Sequence, residues 1–237
     1  MIEILQWSTL AVCGLIALAR VPSALRGENR TLFYIFALLT LAILLSIEAP
    51  YLAIDQFLGG INITNVILRF VIFAAIFFVG VRVTKGFGAD DAYRLIAGRA
   101  GKVVLLALSL VVVLVFLMMD TTSSSVGLTD AAAASERNEV LVEYYGAAGR
   151  AYPSYVSLVL LPAMIRAVRS RLPVMVRIAA ALLAVGGISL ALTLLFPVFP
   201  PAMGAAKYIV NYTAVLCYVV GLALIWAAKV RSKKAGV

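Results

Sequence analysis

The run "VVLLALSLVVVLVFLMM" at residues 103–119 contains no charge, no proline and no glycine, and one serine is its only polar side chain. It offers neither the polar stripe of a surface helix nor the alternation of a half-buried strand. Comparable runs recur along the whole chain. About 20 consecutive apolar residues cross a bilayer as a helix. Barrel strands are shorter and alternate in polarity, which these runs do not. The sequence therefore predicts an all-α polytopic membrane protein with seven transmembrane helices. They are placed at about residues 4–18, 32–54, 64–83, 103–119, 147–168, 174–196 and 206–228. The chain has 237 residues, 64% of them hydrophobic and 13% charged. What remains outside the spans is too little for a soluble domain, so residues 1–237 are expected to form one transmembrane domain.

The basic residues test that layout. Arg20, Arg26 and Arg30 follow the first span; Arg82, Lys85, Arg94, Arg99 and Lys102 follow the third. Arg166, Arg169, Arg171 and Arg177 join the fifth to the sixth, and Lys229, Arg231, Lys233 and Lys234 follow the seventh. Only Arg69, Arg137, Arg150 and Lys207 break the alternation. The positive-inside rule then puts the N-terminus outside and the C-terminus in the cytoplasm, with the chain in the plasma membrane. The opening "MIEILQW" lacks a basic leader, so the first run is expected to be a retained span. Trp7 and Trp226 fall near opposite interfaces. The net charge of +9 suits a bilayer with an anionic inner leaflet and needs no nucleic acid.

Among the acids, Glu28, Asp90 and Asp91 are expected inside. Glu3, Glu48, Asp55, Asp120, Asp130, Glu136, Glu139 and Glu143 fall outside or in outer halves of spans. Residues 120–150 form the longest outer segment: a Ser/Thr-rich loop, then a short helix with Thr129 or Asp130 as N-cap, running into the fifth span. The segment "GADDAYRLIAGRAGK" is expected to extend the fourth span inward, its acids first and bases last as the helix dipole favours.

With no histidine, His-ligated haem, the usual metal sites and imidazole acid–base catalysis are not expected. No cofactor is implied. Cys13 and Cys217 lie in apolar runs and read as small buried hydrophobes. A retinal protein would need a lysine at the centre of the last span, and Lys207 lies near its outer end. No nucleophile–base pair is recognisable.

Ionisable groups inside spans are functional candidates by default. Arg69 lies roughly 8 Å down the third span at 1.5 Å per residue. The second span carries Glu48 and Asp55 two turns apart, with Pro50 between them to kink the helix. The sequence predicts a Glu48–Arg69 ion pair, or one shared with Asp55, and puts Asn62, Asn65 and Arg69 on one face. Glu143 and Arg150 in the fifth span, Lys207 and Asn211 in the seventh, and Tyr144, Tyr145, Tyr152 and Tyr155 complete a predicted outward-facing polar vestibule. Two accounts stand: a structural cluster locking helices, or a site for a ligand.

The stretch "EAPYLAIDQFLGGINITNVILRF" resembles the second and third spans of actinobacterial uncharacterised multi-pass membrane proteins, sometimes labelled transporters. Pro50, Tyr51, Asp55, Gly59 or Gly60, and Asn62 or Asn65 carry the resemblance. It implies the seven-span architecture and a bacterial plasma membrane, and it brings no reaction with it. The leading expectation is a non-catalytic receptor-like, regulatory or accessory subunit, with a membrane-protein partner or a second copy docking on small residues such as Ala180 and Ala184. The alternative is a small-solute or ion transporter or channel. A lipid-modifying enzyme ranks last.

Overall fold

The computed structural model describes residues 2–27, 30–198 and 204–234, and all regular structure among them is helical. Glu28 and the side chains of Glu3, Lys229, Arg231, Lys233 and Lys234 lie outside what is described. The helices are α1 (Ile2–Leu25), α2 (Arg30–Leu44), α3 (Glu48–Phe57), α4 (Ile63–Phe87), α5 (Asp90–Ala97), α6 (Arg99–Met118), α7 (Thr129–Ala134), α8 (Glu136–Arg169), α9 (Val174–Leu192) and α10 (Gly204–Lys234). Among the described residues, six stretches are long and apolar enough to cross a membrane, or seven if α2 and α3 count as one. These two are the predicted second span, bent by 90° at Leu45–Ile47.

Proline chemistry accounts for the position of that bend. Pro50 has no N–H to give the carbonyl of Ser46, and its ring crowds that carbonyl. Three residues before Pro50 the backbone leaves the helix, so Pro50 sits in the first turn of α3, where a missing donor costs nothing. The Ser46 carbonyl instead accepts the side-chain amide of Gln6 on α1 at 3.4 Å.

The chain divides into two compact units. The first gathers residues up to Arg82 with Lys102–Tyr152; the second gathers Val83–Gly101 and the residues from Pro153 onward. In the first, α1 packs on α2, and Cys13 is fully buried. The outer-segment expectation needs one correction. Leu128 is left-handed and gives α7 no side-chain cap. The long helix α8 is capped instead by Ser135, whose hydroxyl oxygen accepts the Asn138 N–H at 3.2 Å. Asn138 also exchanges two hydrogen bonds with the Asp120 backbone, at 3.1 and 2.8 Å, and so closes the base of the intervening loop.

In the second unit, α9 and α10 approach closely because glycines face each helix. Gly186 meets the Ala214 carbonyl and Cys217, and Gly221 meets Leu183. Ala180 and Ala184 are buried within the chain. They are therefore spent on its own packing and are not the docking face that their spacing predicted. The segment after α4 is also more than an extension of α6. It forms α5, whose Ala89–Ala92 edge packs with Val159 and Ala163 of α8. The Leu95 carbonyl, in the last turn of α5, accepts the Tyr155 hydroxyl at 2.7 Å.

Candidate functional site

Asp55 begins the site. It lies in the last turns of α3 and is fully buried. The tight turn that follows uses Gly59 and Gly60 at positive φ and carries Asn62 at φ 62°. That turn brings the first N–H groups of α4 back over the Asp55 side chain. Its Oδ2 accepts the Asn62 N–H at 2.8 Å, and Oδ1 accepts the Thr64 N–H at 2.9 Å. These donors have no partner inside a helix, and a carboxylate at a helix N-terminus also meets the favourable end of the dipole. The Ser124 hydroxyl adds a third bond at 2.6 Å. A shell made only of donors fits an ionised carboxylate.

Asn62 doubles the connection. Its Oδ1 accepts the Tyr51 hydroxyl at 2.9 Å and the Ser125 N–H at 3.0 Å, while its Nδ2 donates to the Ser123 carbonyl. Ser125 in turn receives the Asp130 N–H on its hydroxyl oxygen at 3.0 Å. Three stretches of chain are thus tied by buried hydrogen bonds. Asp55 and Asn62 spend their polar atoms on this knot.

A second cluster lies further along α4. Asn65 is nearly buried and stands one helical turn before Arg69. The Arg69 guanidinium carbon lies 5.2 Å from the centroid of the Tyr145 ring, a cation–π arrangement. The Arg69 side chain crosses α8 at Gly149, where an added Cβ would come 2.7 Å from its Cδ and 2.8 Å from its Nε. One turn before Gly149's neighbour, Gly146 faces the Arg150 guanidinium, 3.1 Å from where its Cβ would be. Tyr145 Oη, Arg69 Nε and Asn65 Oδ1 are buried without a hydrogen-bond partner among the described residues.

The predicted Glu48–Arg69 ion pair does not form. Glu48 is exposed, and no ion pair joins it to Arg69 among the described residues. The bend before α3 carries Glu48 away from the line that a continuous helix would follow, so equal depth along the chain no longer means adjacency. Asn62 precedes α4 at positive φ and does not share a helical face with Asn65 and Arg69. Glu143 and Tyr144 are exposed; Tyr145 and Tyr152 are buried. Lys207 and Asn211 belong to the second unit: the Lys207 amine is 6.0 Å from the Phe196 ring centroid, and Asn211 is exposed. Sequence reasoning missed Ser123, Ser124 and Ser125, which read as loop, and the paired glycines 146 and 149. Small residues at helical spacing beside an arginine were the available signal for the glycines.

Comparison with protein-family models, with curated proteins and with solved structures finds no match. The site's own geometry carries the functional argument.

Proposed function

We propose that this chain is a non-catalytic integral protein of a bacterial plasma membrane, receptor-like, regulatory or accessory in kind, with its N-terminus outside. One observation carries the reading. Asp55 and Asn62 are consumed by a structural knot, whereas Arg69, Tyr145 and Asn65 keep buried polar atoms with no hydrogen-bond partner among the described residues. Buried polar groups are hydrogen-bonded as a rule, so this cluster suits a molecule from outside the chain. The test is purification from native membranes in mild detergent, followed by native mass spectrometry. A stoichiometric small molecule or partner protein, lost in Arg69→Gln, is expected. Bare protein in every preparation overturns the reading.

The bend between α2 and α3 favours a second reading, a transporter or channel, because discontinuous helices line many transport sites. Single cysteines along α4, in a background without Cys13 and Cys217, separate the two. Labelling of the Asn65–Arg69 face from one side of the membrane only supports a receptor-like site. Labelling from both sides supports a transport path.

A further inference from the structure

We infer that α3 lies along the membrane interface at the end of α2 and anchors there by setting Phe57 and Ile61 among the acyl chains of the bilayer. The partner of this surface is lipid, and the placement is independent of any ligand at Arg69. Residues 30–47 rise about 27 Å at 1.5 Å per residue, close to the ~30 Å hydrocarbon core. The turn after α2 stays wound: the Leu45 N–H donates to the Leu41 carbonyl at 2.9 Å, and the Ile47 N–H to the Leu44 carbonyl at 3.2 Å. Thus α2 with this turn can cross alone. The chain then leaves at 90°, and a helix at right angles to a spanning helix runs along the membrane surface.

The faces of α3 suit that position. Tyr51 and Asp55, one turn apart, are fully buried and fix which side meets the protein. Ala49, Ala53 and Phe57 recur at four-residue steps on the opposite side and are exposed. Phe57, at 89%, is the most exposed large apolar side chain among the described residues, and Ile61 past the glycine turn is 44% exposed. Glu48, Leu52 and Gln56 follow one flank of α3; Pro50 and Ile54 follow the other, next to Phe57. An in-plane helix can therefore turn its acid and amide to headgroups and its ring to the chains. Rolling α3 to hide the ring would break the buried bonds from Asp55 to the Asn62 and Thr64 N–H groups and the Ser124 hydroxyl. A stable protein interface buries roughly 800 Å² per partner, far more than Phe57 and Ile61 offer, so lipid fits this surface better than a second chain.

The test uses the full chain in phosphatidylcholine vesicles, with Trp7→Phe and Trp226→Phe to remove native fluorescence and Phe57→Trp as reporter. The quenchers are acrylamide in water and phosphatidylcholine brominated either near the headgroup or near the chain ends. At an interfacial depth of ~5–10 Å, headgroup-side bromines should quench roughly twofold more than chain-end bromines, with acrylamide weak. Gln56→Trp, on the polar flank, should be quenched more by acrylamide and less by bromine. Ile61→Trp carries the test if Phe57→Trp fails to fold. Acrylamide quenching without bromine quenching would put the tip in water and overturn the inference. Stronger quenching by chain-end bromines would make α3 a re-entrant helix and overturn it as well. Protection from every quencher would mean that protein covers Phe57, which also removes the lipid contact.

Discussion

Ser124 donates its hydroxyl to the Asp55 carboxylate at 2.6 Å across 69 residues of chain. Hydrogen bonds to a buried charge are worth about 1.5–3 kcal/mol, and orphaning one partner costs more than removing both. Ser124→Ala should therefore lower stability in detergent by about 1–2 kcal/mol, and Asp55→Asn by about 2–4 kcal/mol. The double variant should lose less than the sum. Additive losses in denaturant unfolding would show that the two residues are not coupled.

Asn62 combines a left-handed backbone with side-chain bonds to Tyr51, Ser123 and Ser125. Asn62→Gly removes the bonds but suits the backbone; Asn62→Ala removes both advantages. The alanine variant should be less stable than the glycine variant by about 1 kcal/mol. Equal melting temperatures would mean that the turn relaxes when its side chain is gone.

Gly149 faces the Arg69 side chain closely enough that a methyl group must displace it. Gly149→Ala is expected to cost about 1–3 kcal/mol. In an Arg69→Ala background the same change should cost markedly less, because the obstructing side chain is absent. A thermal-unfolding cycle over the four proteins measures the difference, and an unchanged cost would place Arg69 away from Gly149.

In the second unit, a Cβ on Gly221 would stand 2.9 Å from Leu183 Cγ. Gly221→Ala should destabilise by about 1–3 kcal/mol. Leu183→Ala leaves room for the new methyl group, so the pair should again be less than additive. Full additivity would argue against the α9–α10 register described above.

The apolar runs made the helices legible, because a stretch such as residues 103–119 has no other use in a chain of this composition. Pro50 also announced a break in the second span. It did not announce a right angle, since local chemistry fixes where hydrogen bonds fail and not which direction the chain then takes. That direction decided the fate of Glu48. Depth along a straight helix put it beside Arg69, and the bend removed it. Arg69 was identifiable from its charge, but its neighbours Tyr145 and Gly149 come from a helix far along the chain. Ser124 was illegible for the same reason: a serine in a polar loop carries no mark of the carboxylate it meets. Ala180 and Ala184 show the converse. Small-residue spacing signals close packing, and it reads alike whether the neighbour belongs to this chain or to another.

The knot at Asn62 has a consequence for the order of assembly during synthesis. Its turn can form as soon as α3 and the start of α4 leave the ribosome, and Asp55 can then cap its own neighbour. The bonds from Ser123, Ser124 and Ser125 must wait until all of α6 has been made and has crossed back. Until then the Asn62 Nδ2 is left to water, while its Oδ1 can already hold the Tyr51 hydroxyl. The first half of the protein is therefore a provisional structure, fastened only when a later loop arrives.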